Sequence, residues 1–358
     1  MHATFFLVRA VVAECLREKF DTLTSADPPA ARAGWGSHNG KGAIVSGFGR
    51  AQLQGCTMFE AVEFPSEGAL LRGRFYRPDR TAPFAAVVMT HGTTATITMA
   101  LDRYAEVFRQ AGLAVLLYDH RNFGSSGGEP RQQINPWVQA RGYRDAVSYL
   151  HARTDVRHDR IAIWGDSYSG LIALVAAALD RRIAAVAVQC PTCGAEKPNA
   201  EPTDESFQKL QTIFAGGDVS GTPATTTGPL PVVSSDQSGT PSLLKPIQAF
   251  KWFIDYGGRH GTLWENRVTR VIPPTPVPFS AYLAAPYIQA ATFMMVGRND
   301  EMVHCNLGVT RATYDLLRCP KQWVDIDGGH FGLLYYPSEL FDRASSLQRD
   351  FLVDALSG

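Results

Sequence analysis

The sequence predicts an α/β fold: a mostly parallel sheet with helices on both faces, interrupted once by a long insertion. Three observations carry this. Short, unbroken apolar runs alternate with helical patterns through the first half of the chain. The alternation stops near Gly194 and resumes at Thr292. The stretch between differs in kind, being rich in Thr, Gly, Pro and aromatic residues. Strands of a covered parallel sheet read as continuous apolar runs because neither face meets water.

The elements follow in order. Met58–Phe64 and Leu70–Tyr76 alternate apolar and polar residues around the turn signal Pro65-Ser66-Glu67-Gly68, which predicts a β-hairpin. Ala85–Met89 is a solid apolar strand ending in Thr90-His91-Gly92-Thr93. A helix is expected around Met99–Ala111, a strand at Ala114–Tyr118, and a helix at about Pro136–Ala152. A strand at Ile161 leads into an Ala-rich helix, and another strand begins at Ile183. After the insertion come a strand at Thr292–Val296, a helix near Leu307–Leu317, a strand at Gln322–Ile326 and a last helix near Pro337–Leu356. The resulting division is an N-terminal extension over 1–55, a core in two parts over 56–194 and 286–358, and an inserted cap over 195–285. Helix-like pieces around Asp204–Phe214 and Pro246–Tyr256 and a mobile Thr/Gly/Pro segment are expected within the cap, because a structureless loop of that length is improbable.

Composition narrows the function classes. A chain of 358 residues with 45% hydrophobic and 19% charged residues supports a large core rather than disorder. Lys+Arg and Asp+Glu both number 34, so the formal charge is zero and nothing global attracts nucleic acid. No apolar run reaches the ~18 residues of a membrane span. The N-terminal run Phe5–Ala13 is broken by Arg9 and lacks a basic start. It reads as a short amphipathic helix packing on the body rather than a signal peptide, so the expected compartment is the cytoplasm. The six cysteines do not resemble a disulfide framework in a chain this long. Cys190-Pro191-Thr192-Cys193 has redox-motif spacing but follows an apolar run, and no second pair completes a zinc site, so these cysteines read as incidental and reduced.

The chemistry is suggested by Gly165-Asp166-Ser167-Tyr168-Ser169, placed where a strand turns into a helix. Such a turn lifts a serine clear of the sheet and aims the following amides at whatever it attacks. The residues two before and two after must be small, and Gly165 and Ser169 are, although Gly is commoner at the fifth position. A serine alone is a poor nucleophile and needs a base, which needs an orienting acid. In a sheet of this type these follow in the order Ser, Asp/Glu, His, at the ends of later strands. Asp300, after Gly297-Arg298-Asn299, is the acid candidate. Glu301 is its neighbouring rival, and Asp204, Asp218, Asp236 and Asp255 of the cap are weaker ones. Of the two later histidines, His330 follows a complete strand and Gly328-Gly329, whereas His304 lies only four residues past the acid; His330 is the preferred base. The backbone N–H groups of Tyr168 and Thr93 are the candidate oxyanion donors. His91 reads as a structural brace. Asp119 and Arg121 read as an ion pair stiffening the Gly-rich loop after their strand, a loop that matches neither a dinucleotide fingerprint nor a Walker loop. Among the cap aromatics, Trp252, Tyr256 and Trp264 are candidates to line a substrate pocket as well as to hold the cap on.

With these motifs together, the chain resembles the α/β-hydrolases over about 56–194 and 286–358. Within that superfamily it is similar to the branch near the dienelactone-hydrolase-like and X-Pro dipeptidyl-peptidase-like hydrolases, which includes fungal polyketide acyltransferases and thiohydrolases. The run Tyr118-Asp119-His120-Arg121-Asn122-Phe123-Gly124-Ser125-Ser126-Gly127-Gly128-Glu129-Pro130-Arg131 carries the closer likeness. The resemblance implies nucleophile Ser167, acid Asp300 and base His330, the three reached from the residues. Some peptidase-like members use an oxyanion tyrosine near the His-Gly position; Thr93 stands here, so that role does not transfer. The expectation is a serine hydrolase of a small-molecule ester or thioester, working through an acyl-enzyme with neither metal nor cofactor. The alternative is an acyltransferase that passes the acyl group to an alcohol or amine. A peptidase and a catalytically silent binding protein stand further off.

Overall fold

The computed structural model describes residues 59–217 and 219–357. The expected N-terminal extension, with Cys15, lies outside the described residues, as do Cys56 and Asp218. The strands are β1 (Glu60–Ser66), β2 (Ala69–Tyr76), β3 (Phe84–Thr90), β4 (Ala114–Tyr118), β5 (Gln133–Ile134), β6 (Val156–Asp166), β7 (Ala185–Gln189), β8 (Thr226–Leu230), β9 (Val268–Val271), β10 (Ala291–Gly297) and β11 (Lys321–Ile326). Eight of them form one sheet in the order β1-β2-β4-β3-β6-β7-β10-β11. From β4 to β11 all neighbours pair in parallel. β2 runs against both β1 and β4. The hairpin closes through Glu67 and Gly68, whose φ values of 47° and 74° suit the tight two-residue turn that matches strand twist.

Successive residues of the central strands serve opposite faces. Val88 and Ile163 pack into one core and Val87 and Trp164 into the other. The helices Pro136–His151 and Tyr168–Leu179 cover the first face, and Leu101–Gln110 and Glu339–Leu356 cover the second. The Ala-rich helix Tyr168–Leu179 is buried along nearly its whole length. Its small side chains let it lie close against the sheet, directly behind the turn that carries Ser167. Asn135 starts the helix Pro136–His151 by accepting from Trp137 N at 3.1 Å, with proline at the first helical position.

Between β7 and β10 the chain forms the helices Asp204–Ala215 and Ile247–Gly257 at the places the periodicity predicts. It also forms β8 and β9, which the sequence does not announce. These two join β5 in a three-stranded sheet, order β5-β9-β8. Gln133 and Ile134 pair with Thr269 and Arg270, and Asn135 Nδ2 donates to the Val219 carbonyl at 2.9 Å. The segment between β7 and β10 is thereby strapped to the loop that precedes the helix Pro136–His151. Among the described residues no helix is long and apolar enough to cross a membrane.

Candidate active site

Four loops meet at the carboxyl edge of the parallel sheet, where such folds place their chemistry. Thr93 follows β3, Ser167 follows β6, Asp300 follows β10 and His330 follows β11. Ser167 has φ 56° and ψ −119°, a left-handed conformation that costs a non-glycine residue on the order of 1–3 kcal/mol. The surrounding bonds hold it there. Ser167 N donates to the Gln189 carbonyl at 2.8 Å, and Thr192 N donates to the Ser167 carbonyl at 3.1 Å. A side chain at Gly165 would collide with the Ser169 carbonyl, so the small-residue rule is obeyed for the expected reason.

The serine at the fifth motif position is a staple. Ser169 Oγ accepts from Asp166 N at 2.9 Å and has the Thr90 carbonyl at 3.1 Å and the Asp166 carbonyl at 2.9 Å as acceptors. It ties the turn to the end of β3, a role glycine has no atoms to fill.

His330 Nδ1 lies 2.8 Å from Asp300 Oδ2, and both side chains are buried. The carboxylate accepts a hydrogen bond from Nδ1–H, which leaves the Nε2 lone pair free to receive a proton. Asp300 Oδ1 accepts from Met302 N at 2.8 Å. Glu301, the rival acid, instead accepts from the backbone N–H of His330 at 2.8 Å. Burial opposes a charged imidazole at His330, but the Asp300 hydrogen bond and the carboxylates of Asp300, Asp166 and Glu301 outweigh it, so its pKa is raised above 6.5. His304 is exposed; its backbone carbonyl accepts from Gly194 N, and its pKa is lowered by partial desolvation and by Arg270.

Ser167 and His330 line one cavity together with Thr93, Asp166 and the apolar side chains of Leu244, Trp252, Phe253 and Phe331. Its volume is about 20 Å³, room for little more than a water molecule. Gly92 lies so close to the nucleophile that a β-carbon there would stand 3.1 Å from Ser167 Cβ, which presses the Thr93 loop against the elbow. Tyr168 opens the helix behind Ser167, so its N–H has no partner within that helix. Of the two candidate oxyanion donors, Thr93 lines the cavity with Ser167, and Tyr168 directly follows Ser167 in the chain.

Of the three cap aromatics, Trp252 lines this cavity. Tyr256 stacks behind Trp252 at 5.2 Å, and its hydroxyl bonds the Tyr336 backbone, accepting from the N–H at 2.7 Å. Trp264 packs behind Phe253 at 5.5 Å. Tyr256 and Trp264 thus form a second layer, and Phe253 takes the lining place that the sequence reading did not assign.

The bracing residues are also placed. His91 Nδ1 donates to the Gly92 carbonyl at 2.9 Å and its Nε2 accepts from His120 N at 3.1 Å, a fully buried neutral histidine holding the loop as expected. Asp119 does not brace through Arg121. It accepts from Ile97 N at 3.0 Å and from Ser125 N and Oγ at 2.9 Å each, while Arg121 reaches Asn122 Oδ1 and the Glu129 carbonyl. Backbone amides near a strand end are nearer to hand than a long guanidinium.

Beneath the elbow runs a buried polar chain that the sequence reading missed. Gln189 Nε2 donates to Asp166 Oδ1 at 3.0 Å. Gln189 Oε1 accepts from Gln348 Nε2 at 2.9 Å and from the Tyr104 hydroxyl at 3.0 Å, and Trp164 Nε1 donates to Gln348 Oε1 at 2.6 Å. Burial pushes the Asp166 carboxyl up to about 6, with His330 and the Gln189 hydrogen bond opposing the rise.

The chain is similar to known proteins in sequence and in fold. Residues 81–226 match the family model described as "Serine aminopeptidase, S33". The chain is 40% identical to the thiohydrolase aneE of Aspergillus aculeatus over a stretch covering 37% of this chain and 42% of that protein. It is 38% identical to the polyketide transferase af380 of Aspergillus fumigatus over 44% of this chain and 55% of that protein. The chain thus spans about half the length of these curated relatives. The solved structure of DcsB with its substrate analogue superposes with a TM-score of 0.61 at 24% identity, covering 84% of this chain and 100% of that one, a likeness that speaks for the fold. The chain has the α/β-hydrolase fold, and over part of its length it is similar in sequence to fungal thiohydrolases and polyketide transferases.

Proposed function

We propose that the chain is a serine hydrolase that cleaves a carboxylic ester or thioester through an acyl-enzyme. The observation that carries this is the 2.8 Å bond from His330 Nδ1 to Asp300, with His330 and Ser167 facing one cavity. His330 Nε2 takes the hydroxyl proton of Ser167 as Oγ attacks the carbonyl carbon. The N–H groups of Thr93 and Tyr168 hold the oxyanion as the tetrahedral centre forms. His330 returns the proton to the departing alkoxide or thiolate, leaving the acyl group on Ser167. It then removes a proton from water, whose oxygen attacks the acyl carbon; the carboxylic acid leaves and Ser167 recovers its proton. Asp300 steadies the imidazolium in each transfer. The raised His330 pKa favours proton uptake from the hydroxyl.

A second reading is acyl transfer, in which an alcohol or amine takes the place of water. It is favoured by the polyketide transferase among the relatives and by the apolar wall of Leu244, Trp252, Phe253 and Phe331, which leaves water little room. Product analysis of one acyl-thioester with and without competing alcohols and amines separates the two readings.

The test of the shared chemistry is Ser167→Ala on a panel of p-nitrophenyl esters and acyl-thioesters. Turnover is expected to fall by several orders of magnitude, as when a member of such a unit is removed. Unchanged hydrolysis by the variant ends the proposal.

A further inference from the structure

Cys190 ends β7 beside the triad, one position past Gln189, with its backbone N–H donating to the Met295 carbonyl at 2.8 Å. Its Sγ, a carboxylate oxygen of Asp300 and a ring nitrogen of His330 all lie within 4.8 Å of one another, and His330 Nδ1 is the nitrogen that faces Asp300. Cys305 flanks the group, its Sγ 3.6 Å from His330 Nδ1 and donating to the Cys190 carbonyl at 3.2 Å. Asp300, Cys190 and Cys305 line a second cavity of about 330 Å³, to which Pro191, Met302 and Thr310 also contribute. Ser167 and His330 line the small cavity on the other side. The acid–base pair thus borders two cavities, Asp300 lining the larger, rear one and His330 the small one that Ser167 also lines.

We infer that Cys190, Asp300 and His330 form an inhibitory site for a thiophilic divalent metal ion, zinc being the one it fits best. The inference rests on the triad reading for its effect on turnover, but not for the binding itself. Bond lengths of about 2.0–2.3 Å to N, O and S place tetrahedral ligand atoms roughly 3.3–3.8 Å apart, so these three close on an ion with small side-chain shifts. One thiolate, one imidazole and one carboxylate make a donor set that zinc accepts, with the fourth place open to water from the rear cavity. Burial and the carboxylates of Asp300 and Asp166 keep the Cys190 thiol protonated without metal, so binding must displace that proton. The balance is simple. The thiol loses H⁺ to solvent as the S–metal bond forms. The imidazole proton moves from Nδ1 to Nε2 as Nδ1 takes the metal, and the Asp300–His330 hydrogen bond is replaced by two metal bonds. An Nε2 that carries a proton cannot accept the one from Ser167, so turnover stops while the ion is bound. The CxxC spacing is thus misleading: Cys190 pairs chemically with residues more than a hundred positions away, not with Cys193.

The experiment is a Cd²⁺ titration of the full chain carrying Ser167→Ala, followed by the ultraviolet thiolate-to-cadmium absorption. An added Cys190→Ser is expected to remove one equivalent of that band and to weaken binding by more than about tenfold. His330→Gln in the same background is expected to weaken binding likewise, and it carries the test if Cys190→Ser does not fold. A band of unchanged size and midpoint in both variants, or no band in the parent, overturns the inference. Separately, Zn²⁺ is expected to inhibit ester hydrolysis by the unmutated chain, and a chelator to restore it. Hydrolysis that persists in Ser167→Ala would sink the triad reading yet leave the cadmium titration fully interpretable.

Discussion

The backbone N–H of His330 donates to Glu301 Oε2 across 2.8 Å, so the neighbour of the candidate acid holds the loop that presents the candidate base. Glu301 is also one of three carboxylates that raise the His330 pKa. A base must be neutral to act, so a raised pKa puts the acid limb of kcat/KM above 6.5. Glu301→Gln keeps an acceptor for the His330 N–H and removes one negative charge. The acid limb is expected to move to lower pH by a few tenths of a unit, on the order of what one partly screened charge contributes. The pH profile of kcat/KM for a soluble p-nitrophenyl ester checks this; a limb that stays put or moves upward refutes it.

Asp166 offers a stability test with a defined sign. Its carboxyl is pushed up to about 6 from an ordinary 3.8, chiefly by burial. The folded chain therefore holds an extra proton between those values and loses stability as pH rises through them. Asp166→Asn keeps an oxygen to accept from Gln189 and carries no charge. Relative to the unmutated chain, the variant is expected to gain on the order of 3 kcal/mol as pH rises from about 4 to 7, at 1.36 kcal/mol per pKa unit. Tm measured at pH 5 and pH 8 should diverge in favour of the variant at the higher value. Parallel curves would show that the Asp166 charge is not held at a cost.

The aromatic layers separate two roles by mutation. Trp252 lines the Ser167 cavity and Trp264 stands behind Phe253. Trp252→Ala is expected to open space next to the nucleophile and to raise the rate on long acyl chains relative to short ones by several fold. Trp264→Ala is expected to cost about 3–5 kcal/mol of stability, at the low end because it is only part-buried, and to leave the chain-length profile alone. A chain-length panel and a Tm for each variant settle the matter; the reverse pattern would place the acyl pocket at Trp264.

Local signals made the elbow, the two later site residues and nearly every sheet strand legible. Gly165-Asp166-Ser167 is a contiguous motif; Asp300 follows the apolar run Phe293–Val296, and His330 follows the alternating strand Gln322–Ile326 and the pair Gly328-Gly329. What could not be read depends on distance along the chain. Trp164 and Gln348 are 184 positions apart, and Gln189 and Asp166 are 23 apart, so no spacing rule links them. By spacing Cys190 pairs with Cys193, whereas in space its Sγ lies within 4.8 Å of groups on Asp300 and His330, far along the chain. β5 is two residues long and β9 four, too short for periodicity, so the strap from the insertion to the body left no trace. Trp252 and Tyr256 lie one helical turn apart on the same face, and only their packing decides which reaches the cavity.

The most direct measurement is covalent labelling with a fluorophosphonate, followed by peptide mapping. A single adduct is expected on Ser167, formed rapidly by the unmutated chain and far more slowly by His330→Ala. An adduct on another residue, or equal labelling rates in the two proteins, would contradict nucleophilic catalysis by Ser167 with His330 as its base.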